Sequence, residues 1–374
     1  VFGLQGLANT AWACASLVFA DRPLRHAIAA AALRKIALCE RGSLELGLGE
    51  LSSILGVVGS FSEAGTSEPE LQATLLCATE AAVESYAQHF DAGGTVLNVA
   101  DLGLEQDTGK SRPRPLAEQR HALALAKPPG WTVTVSQGLQ DAGDRRTQGG
   151  AGRRLQDWVA ENLGRGFTIS RDTRSQHGLV HRLDRDTSGV LLVAKTYRGF
   201  HLAQLQFVAR RVCKEYLCLC HGGVPEAPRF LEAPLRQLLV SGEAAAKASA
   251  QPSATIDQAG KSARTEVLSV AHLRCPGGGR FSLARLRLHT GRQHQIRAHM
   301  AGEGAPLVAD VAYGGERRPW CRRTFLHAYL LGLDIGDGPF EALCRLPPDL
   351  SAALDELAPE AGRARALMSE WLFV

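Results

Sequence analysis

Asp184 stands in the string His181-Arg182-Leu183-Asp184-Arg185-Asp186-Thr187-Ser188-Gly189, which runs directly into the apolar segment Val190 to Ala194. Arginines on both sides favour its ionised form. A carboxylate held so at the edge of a strand can act as a nucleophile or as a general base. For an isolated H-R-L-D, a solvated surface loop would be the better reading, but the length and order of the whole string argue against it. A second cluster is Thr290-Gly291-Arg292-Gln293-His294-Gln295-Ile296-Arg297-Ala298-His299-Met300. Arg292, His294, Arg297 and His299 place several donors around one turn and the helix start after it, a set that can hold phosphates or neutralise a carboxylate. A metal site is not expected: His294 and His299 are five residues apart and do not align on a helix face, and no acid or thiolate follows closely.

Two shorter strings complete the set. Lys127-Pro128-Pro129-Gly130-Trp131 follows an apolar strand and by itself reads as a turn. Arg211-Val212-Cys213-Lys214-Glu215-Tyr216 leads to Cys220-His221-Gly222, and a tyrosine on such a strand is ordinarily half-buried core.

Spread from Ala122 to Leu346, these strings resemble the RluA-type pseudouridine synthases. The first matches the family's H-R-L-D-x-x-T-S-G signature, which implies that Asp184 is the catalytic residue. Lys127 to Trp131 resembles the family's opening lysine-proline turn. Lys214 to Tyr216 resembles its K-x-Y segment, whose tyrosine stacks on the target base, a contact of about 1–3 kcal/mol that needs no sequence readout. Thr290 to His299 matches T-G-R-x-H-Q-I-R-x-H at every defined position. The match continues through Ala305 to Asp310, Tyr313-Gly314 and Phe325 to Ala328, with one departure: Ala309 stands where the family has glycine, which matters if the backbone there needs a positive φ.

The resemblance implies that Arg297 pairs with Asp184 and that Arg182 fills the space left by a flipped nucleotide. It makes Lys127, His181, Arg292, His294, Gln295 and His299 the candidate contacts to RNA. The expected reaction converts uridine to pseudouridine in a structured RNA, with no cofactor, and leaves open whether Asp184 attacks C1′ or removes a sugar proton. Ribosomal RNA, transfer RNA and other RNAs all stay open as substrates. One rival is an RNA-binding protein with an inactive synthase domain. Another is a glycosidase, which would ordinarily need a second carboxylate across the bond; Asp186, two residues away, has no evident geometric role.

The elements that must position these residues read as α+β. Strand-like runs at Ala122–Ala126, Val190–Ala194, Tyr216–Cys220 and Phe281–Leu288 interleave with helical segments Leu155–Leu163 and Gly199–Ala209, without a regular β-α-β beat. The expected catalytic domain is therefore a mixed, largely antiparallel sheet over residues 118–374. Residues 103–117 read as a polar linker, and Gln137–Gly152 and Ser241–Ala263 as loop insertions. No glycine-rich phosphate loop follows a strand.

Residues 1–102 read as all-α. Leu4, Leu7, Ala8, Ala11, Ala15 and Val18 form one stripe, and Leu24, Ile28, Ala32 and Ile36 line a second helix capped by Asp21. Ser67-Glu68-Pro69-Glu70 is a capping box for a helix that ends at Asp91-Ala92-Gly93-Gly94. Leu7–Ala13 and Leu51–Val57 look like copies of one helical start, and Leu7 to Ile36 resembles the helical repeats fused to organellar RNA-processing proteins of algae and protists. Binding of RNA or of a protein partner by these helices, and an organellar or cytoplasmic location, are both left open. The chain begins with Val1, inside the helical array, so a truncated start is expected.

Net charge is +4, but residues 1–110 carry −7 and the rest +11. The basic part suits a polyanion, and the acidic part does not read as a phosphate grip. The nine cysteines are scattered without C-x-x-C pairs, which fits a reducing compartment. Apolar runs are too short for a membrane span, and a monomer is expected.

Overall fold

The computed structural model describes residues 3–16, 22–40, 47–63, 69–91, 98–102, 111–133, 153–238 and 253–373. Asp21, Ser67, Glu68, the Gln137–Gly152 insertion and most of the Ser241–Ala263 insertion lie outside them. Four helices come first: α1 (Leu4–Ser16), α2 (Arg22–Glu40), α3 (Leu48–Glu63) and α4 (Pro69–Asp91). Then follow β1 (Arg114–Glu118), β2 (Ala122–Lys127), β3 (Trp131–Thr132), β4 (Arg153–Arg154), α5 (Leu155–Leu163), β5 (Ser188–Ala194), α6 (Tyr197–Val208) and β6 (Cys213–His221). The chain continues through β7 (Arg229–Leu231), β8 (Leu235–Gln237), β9 (Ala254–Ile256), β10 (Thr265–Arg274), β11 (Arg280–Leu288) and α7 (Gln295–Gly302). It closes with β12 (Leu326–Asp334), β13 (Pro339–Leu343), α8 (Pro348–Asp355), β14 (Ala358–Pro359) and α9 (Gly362–Phe373).

The main sheet runs β1-β2-β5-β12-β6-β11-β10-β14, with β13 on β12 and β7 on β10. Within it only β5 and β12 are parallel, so the mixed, largely antiparallel sheet read from the sequence is the fold observed. β2 and β5 are buried on both faces, which explains why their sequences are unbroken apolar runs instead of alternating ones. The sheet starts a few residues earlier than expected: Arg114–Ala117, within the segment that reads as linker, already pairs with β2. β9 lies inside the second insertion, where three residues are too few for a strand pattern to register.

The four helices are not an independent bead. Leu205 and Ala209, from α6 and its C-cap, join the core formed by Ile28, Ile36, Ile54, Val57, Phe61 and Leu75. The Asp91 carboxylate accepts from the backbone N–H groups of Tyr197 (3.1 Å) and Arg198 (3.0 Å), capping α6 from a distant helix. Glu84 pairs with Arg198 at 2.7 Å. The helical region thus docks as a layer on the main sheet, with α6 between them. α1 and α3, which carry the two similar helical starts, pack on one another: a Cβ added at Gly56 would lie 3.3 Å from the Ala8 Cβ. Among the described residues no helix is long and apolar enough to cross a membrane.

Candidate active site

The Asp184 loop is held from three directions. Lys127 Nζ donates to the carbonyls of Pro128 (3.1 Å), Trp131 (3.0 Å) and Arg185 (3.0 Å), and Gly130 N donates to Arg185 O at 2.8 Å. Thr187 N closes a turn onto Asp184 O at 3.1 Å. Arg323 donates to Asp186 O (2.9 Å) and to Ser188 Oγ (3.0 Å), and Ser188 Oγ also meets His327 Nδ1 at 2.9 Å. The final glycine of the string is required by packing: Gly189 has φ +127°, and a Cβ there would sit 2.2 Å from Ala328 O on the neighbouring strand. The loop is therefore rigid at both ends, and Asp184 lies between the anchors.

Asp184 is half-buried, with a quarter of its side chain accessible. Its Oδ2 lies 3.7 Å from Arg297 Nη1 and its Oδ1 lies 3.7 Å from His294 Nε2. These are ion-pair distances without a direct hydrogen bond. Arg297 is committed elsewhere: Nε and Nη2 donate to the two oxygens of Asp310, each at 2.7 Å. Asp310 is 1% exposed. The expected Arg297–Asp184 pair is thus a looser contact than the sequence implied, because a buried carboxylate from 13 residues downstream takes the bidentate face of the guanidinium. Burial alone would lower the Arg297 pKa; Asp310 and then Asp184 outweigh it and raise it.

His294 begins α7 in a left-handed conformation, φ +53°. Its Nε2 accepts from Arg297 Nη1 at 2.9 Å. This assigns the proton to Nδ1, which faces Ser253 Oγ (2.8 Å) and the Tyr313 hydroxyl (3.0 Å). Burial, followed by the charges of Arg297 and Arg182 against those of Asp184 and Asp310, lowers its pKa, so the ring is neutral near pH 7. Tyr313 donates to Ala254 O at 3.0 Å and lies under the Arg297 guanidinium, 4.8 Å from the ring centroid. Tyr216, half-buried on β6, has its pKa raised by burial and by the charge of Asp184. Asp184, Arg297, His294 and Tyr216 thus come together; Asp310 and Tyr313, quoted in the sequence without a role, complete the site.

Other expected RNA contacts are placed as supports. Lys127 is 1% exposed and buried under the loop, its pKa lowered to about 7 by burial against Asp184 and Asp186. His181 Nε2 accepts from Leu192 N at 2.8 Å, and its ring stacks on Phe207; burial lowers its pKa to about 3, which suits an acceptor. Gln295 Oε1 accepts from Thr290 Oγ1 (2.7 Å) and Arg292 N (3.0 Å), while Nε2 donates to Arg264 O (3.0 Å) and Thr265 Oγ1 (2.9 Å). His299 is buried between Thr265 Oγ1 (3.0 Å) and Ala233 O (2.9 Å). Buried polar groups must be satisfied, and backbone groups and threonine hydroxyls satisfy these, so contact with a phosphate is not what their positions provide. Arg182 is exposed beside the site, and half-buried Arg292 donates to Ser262 O at 3.0 Å. Among the described residues no His, Cys, Asp and Glu cluster could hold a metal ion.

The departure at Ala309 falls where it matters: its φ is +63°. A left-handed L-residue costs about 1–2 kcal/mol. A glycine would relieve that while losing a buried methyl of about 0.8 kcal/mol and adding unfolded-state freedom. Ala309→Gly is therefore expected within about 1 kcal/mol of wild type, and Ala309→Val, β-branched, to lose more than about 2 kcal/mol. Denaturant melts of the two variants check this; equal stability for both would show the strain to be absent.

The mixed sheet thus carries, at the start of an interior strand, an accessible aspartate faced by a buried Arg–Asp pair. The family model described as RNA pseudouridylate synthase matches residues 121–302. The ribosomal large subunit pseudouridine synthase D of Xanthomonas campestris is 30% identical over 269 residues, covering 67% of this chain and 71% of that protein. An uncharacterized RNA pseudouridine synthase of Bacillus subtilis is 32% identical over 184 residues, covering 48% of this chain and 55% of its own length. The chain thus spans about half the length of the relative from B. subtilis. The solved structure of human RNA pseudouridylate synthase domain containing 1 covers 71% of this chain and 96% of its own, with TM-score 0.50 and 22% identity, a likeness of fold. The chain belongs to the RNA pseudouridylate synthase family.

Proposed function

We propose that this chain isomerises uridine to pseudouridine in RNA, with Asp184 as the catalytic carboxylate. One observation carries the reading. Asp184 is the acid in the cluster with accessible oxygens, while Asp310 beside it is consumed by Arg297. The reaction breaks N1–C1′, turns the uracil and joins C5 to C1′; the proton leaves C5 and N1 gains one, so atoms and electrons balance without a co-reactant. Asp184 serves either as nucleophile at C1′ or as base toward a sugar proton. Arg297, fixed by Asp310, keeps positive potential at the carboxylate, and neutral His294 adds none. Tyr216 offers a ring to the extruded base.

The test is direct. Purified full chain, incubated with total cellular RNA, is expected to produce pseudouridine detectable by mass spectrometry of the nucleosides. Free uracil in place of pseudouridine would favour a glycosidase, and RNA binding without product would leave a binding protein. Tyr216 is checked in the same assay. Tyr216→Phe keeps the ring and is expected to retain part of the activity, while Tyr216→Ala loses about 10- to 100-fold, the worth of one base–aromatic stack. Equal rates for Tyr216→Ala and wild type would remove the stacking role.

A further inference from the structure

A groove of about 680 Å³ opens between α3 of the helical layer and the sheet domain, beside α6. One wall is the face of α3 that carries Leu48, Ser52, Leu55, Gly56 and Gly59, spaced as one helical stripe. The opposite wall carries Arg174, Arg210, Lys214 and Arg292, and among the described residues no carboxylate lines either side. Lys214 is recessed in this groove, with its Nζ over the Phe207 ring at 5.8 Å. Among the described residues its ammonium has no carboxylate or carbonyl acceptor; the charges that bear on it include Arg210 and Arg292, which disfavour its own. An unpaired recessed cation facing two more is a site built for an anion.

Two residues of the basic wall adjoin the proposed active site along the chain. Lys214 and Tyr216 are two apart on β6 and so project to one side, about 7 Å from each other along the strand. Arg292 stands two residues before His294 in the same turn.

We propose that α3 and the Arg174–Arg210–Lys214–Arg292 wall form a channel for the phosphodiester backbone of single-stranded RNA flanking the uridine at Asp184. The helical layer thereby takes part in RNA binding. Three acids of the helical layer point elsewhere. Glu84 and Asp91 face α6 (Glu84 on Arg198, Asp91 on the α6 amides) and Glu80 faces Arg211, all away from the groove. Ser52, Gly56 and Gly59 leave room for a strand, and the uncharged stripe leaves the potential to the basic wall.

This inference deepens the proposed function, yet its test reads binding without any need for product. A fluorescein-labelled single-stranded oligouridylate is titrated with the full chain over a range of salt. Lys214→Gln is expected to weaken binding about three- to tenfold and to reduce the slope of log K against log salt by about one. Ser52 is exposed on α3, so Ser52→Glu, Ser52→Gln and Ser52→Lys should all fold, as circular dichroism melts would verify. Ser52→Glu is expected to weaken binding, Ser52→Gln to leave it unchanged, and Ser52→Lys to restore much of what Lys214→Gln loses. If the Ser52 series binds as wild type does, α3 is no wall of an RNA channel, whether or not the chain makes pseudouridine. That result with pseudouridine formed sinks this inference alone; a Ser52 charge effect on binding without pseudouridine formed sinks the proposed activity alone.

Discussion

Asp184→Asn is expected to fold, bind RNA nearly as wild type does and make no measurable pseudouridine. The substitution keeps the shape of the side chain and every anchor of its loop, since Lys127, Gly130 and Arg323 grip backbone atoms of Arg185 and Asp186, and Ser188 Oγ, with none on the Asp184 carboxylate. What it removes is the negative charge and the nucleophilic or basic oxygen. A general base contributes typically about 10²–10⁴-fold, so a loss within that range fits proton removal from the sugar. A larger loss fits attack at C1′, where no weaker substitute exists. The measurement is initial rate on a substrate RNA alongside oligouridylate binding. Asp184→Asn turning over at the wild-type rate would show that another group does the chemistry.

Much of the site was legible because its chemistry sits in contiguous strings. Asp184, His294, Arg297 and Tyr216 lie in three of them, and the structure brings these four together. What the strings do not disclose is which of their members face outward. Lys127, His181, Gln295 and His299 stand in the same motifs and are spent on backbone carbonyls, an amide and a threonine hydroxyl. Burial is a tertiary property, and a histidine that accepts from Leu192 N reads in sequence like one that meets a phosphate. Asp310 and Tyr313 were visible as residues but not as partners, since their roles depend on the turn after α7 folding back on Arg297.

The elements follow the same division. Runs such as Leu123–Ala126 and Val190–Ala194 betray buried strands, and the Leu155–Leu163 helix falls where its periodicity places it. β1 and β9 are short and take their order from pairing, which no local pattern shows. The docking of the helical layer was hidden more deeply. Its acidic balance looked unsuited to RNA, yet Glu80, Glu84 and Asp91 answer arginines and helix amides of the catalytic domain. Net charge summed over a segment says nothing of which face carries it.

Asp310→Asn is expected to be the most damaging change outside the catalytic loop, in both stability and rate. Asp310 is buried and forms two 2.7 Å bonds with Arg297, itself only 14% exposed at its side chain. An asparagine offers one acceptor and turns an amide donor toward a guanidinium that has none to accept it. Leaving a buried charge without its partner costs about 3–5 kcal/mol. The nearest remaining carboxylate is Asp184, 3.7 Å from Nη1. Arg297 would close on it, and the pairing would occupy the oxygens that the reaction uses. We expect a lower melting temperature together with a loss in kcat of at least about 10-fold, the effect of about 1.4 kcal/mol on the barrier. The paired substitution Arg297→Met with Asp310→Leu separates the two effects. Apolar replacements of a buried ion pair are often neutral for stability, so the double variant should regain most of its melting temperature. It should regain none of its activity, because the positive group beside Asp184 is gone. Recovery of both stability and rate would mean that the pair holds the fold and has no part in the chemistry.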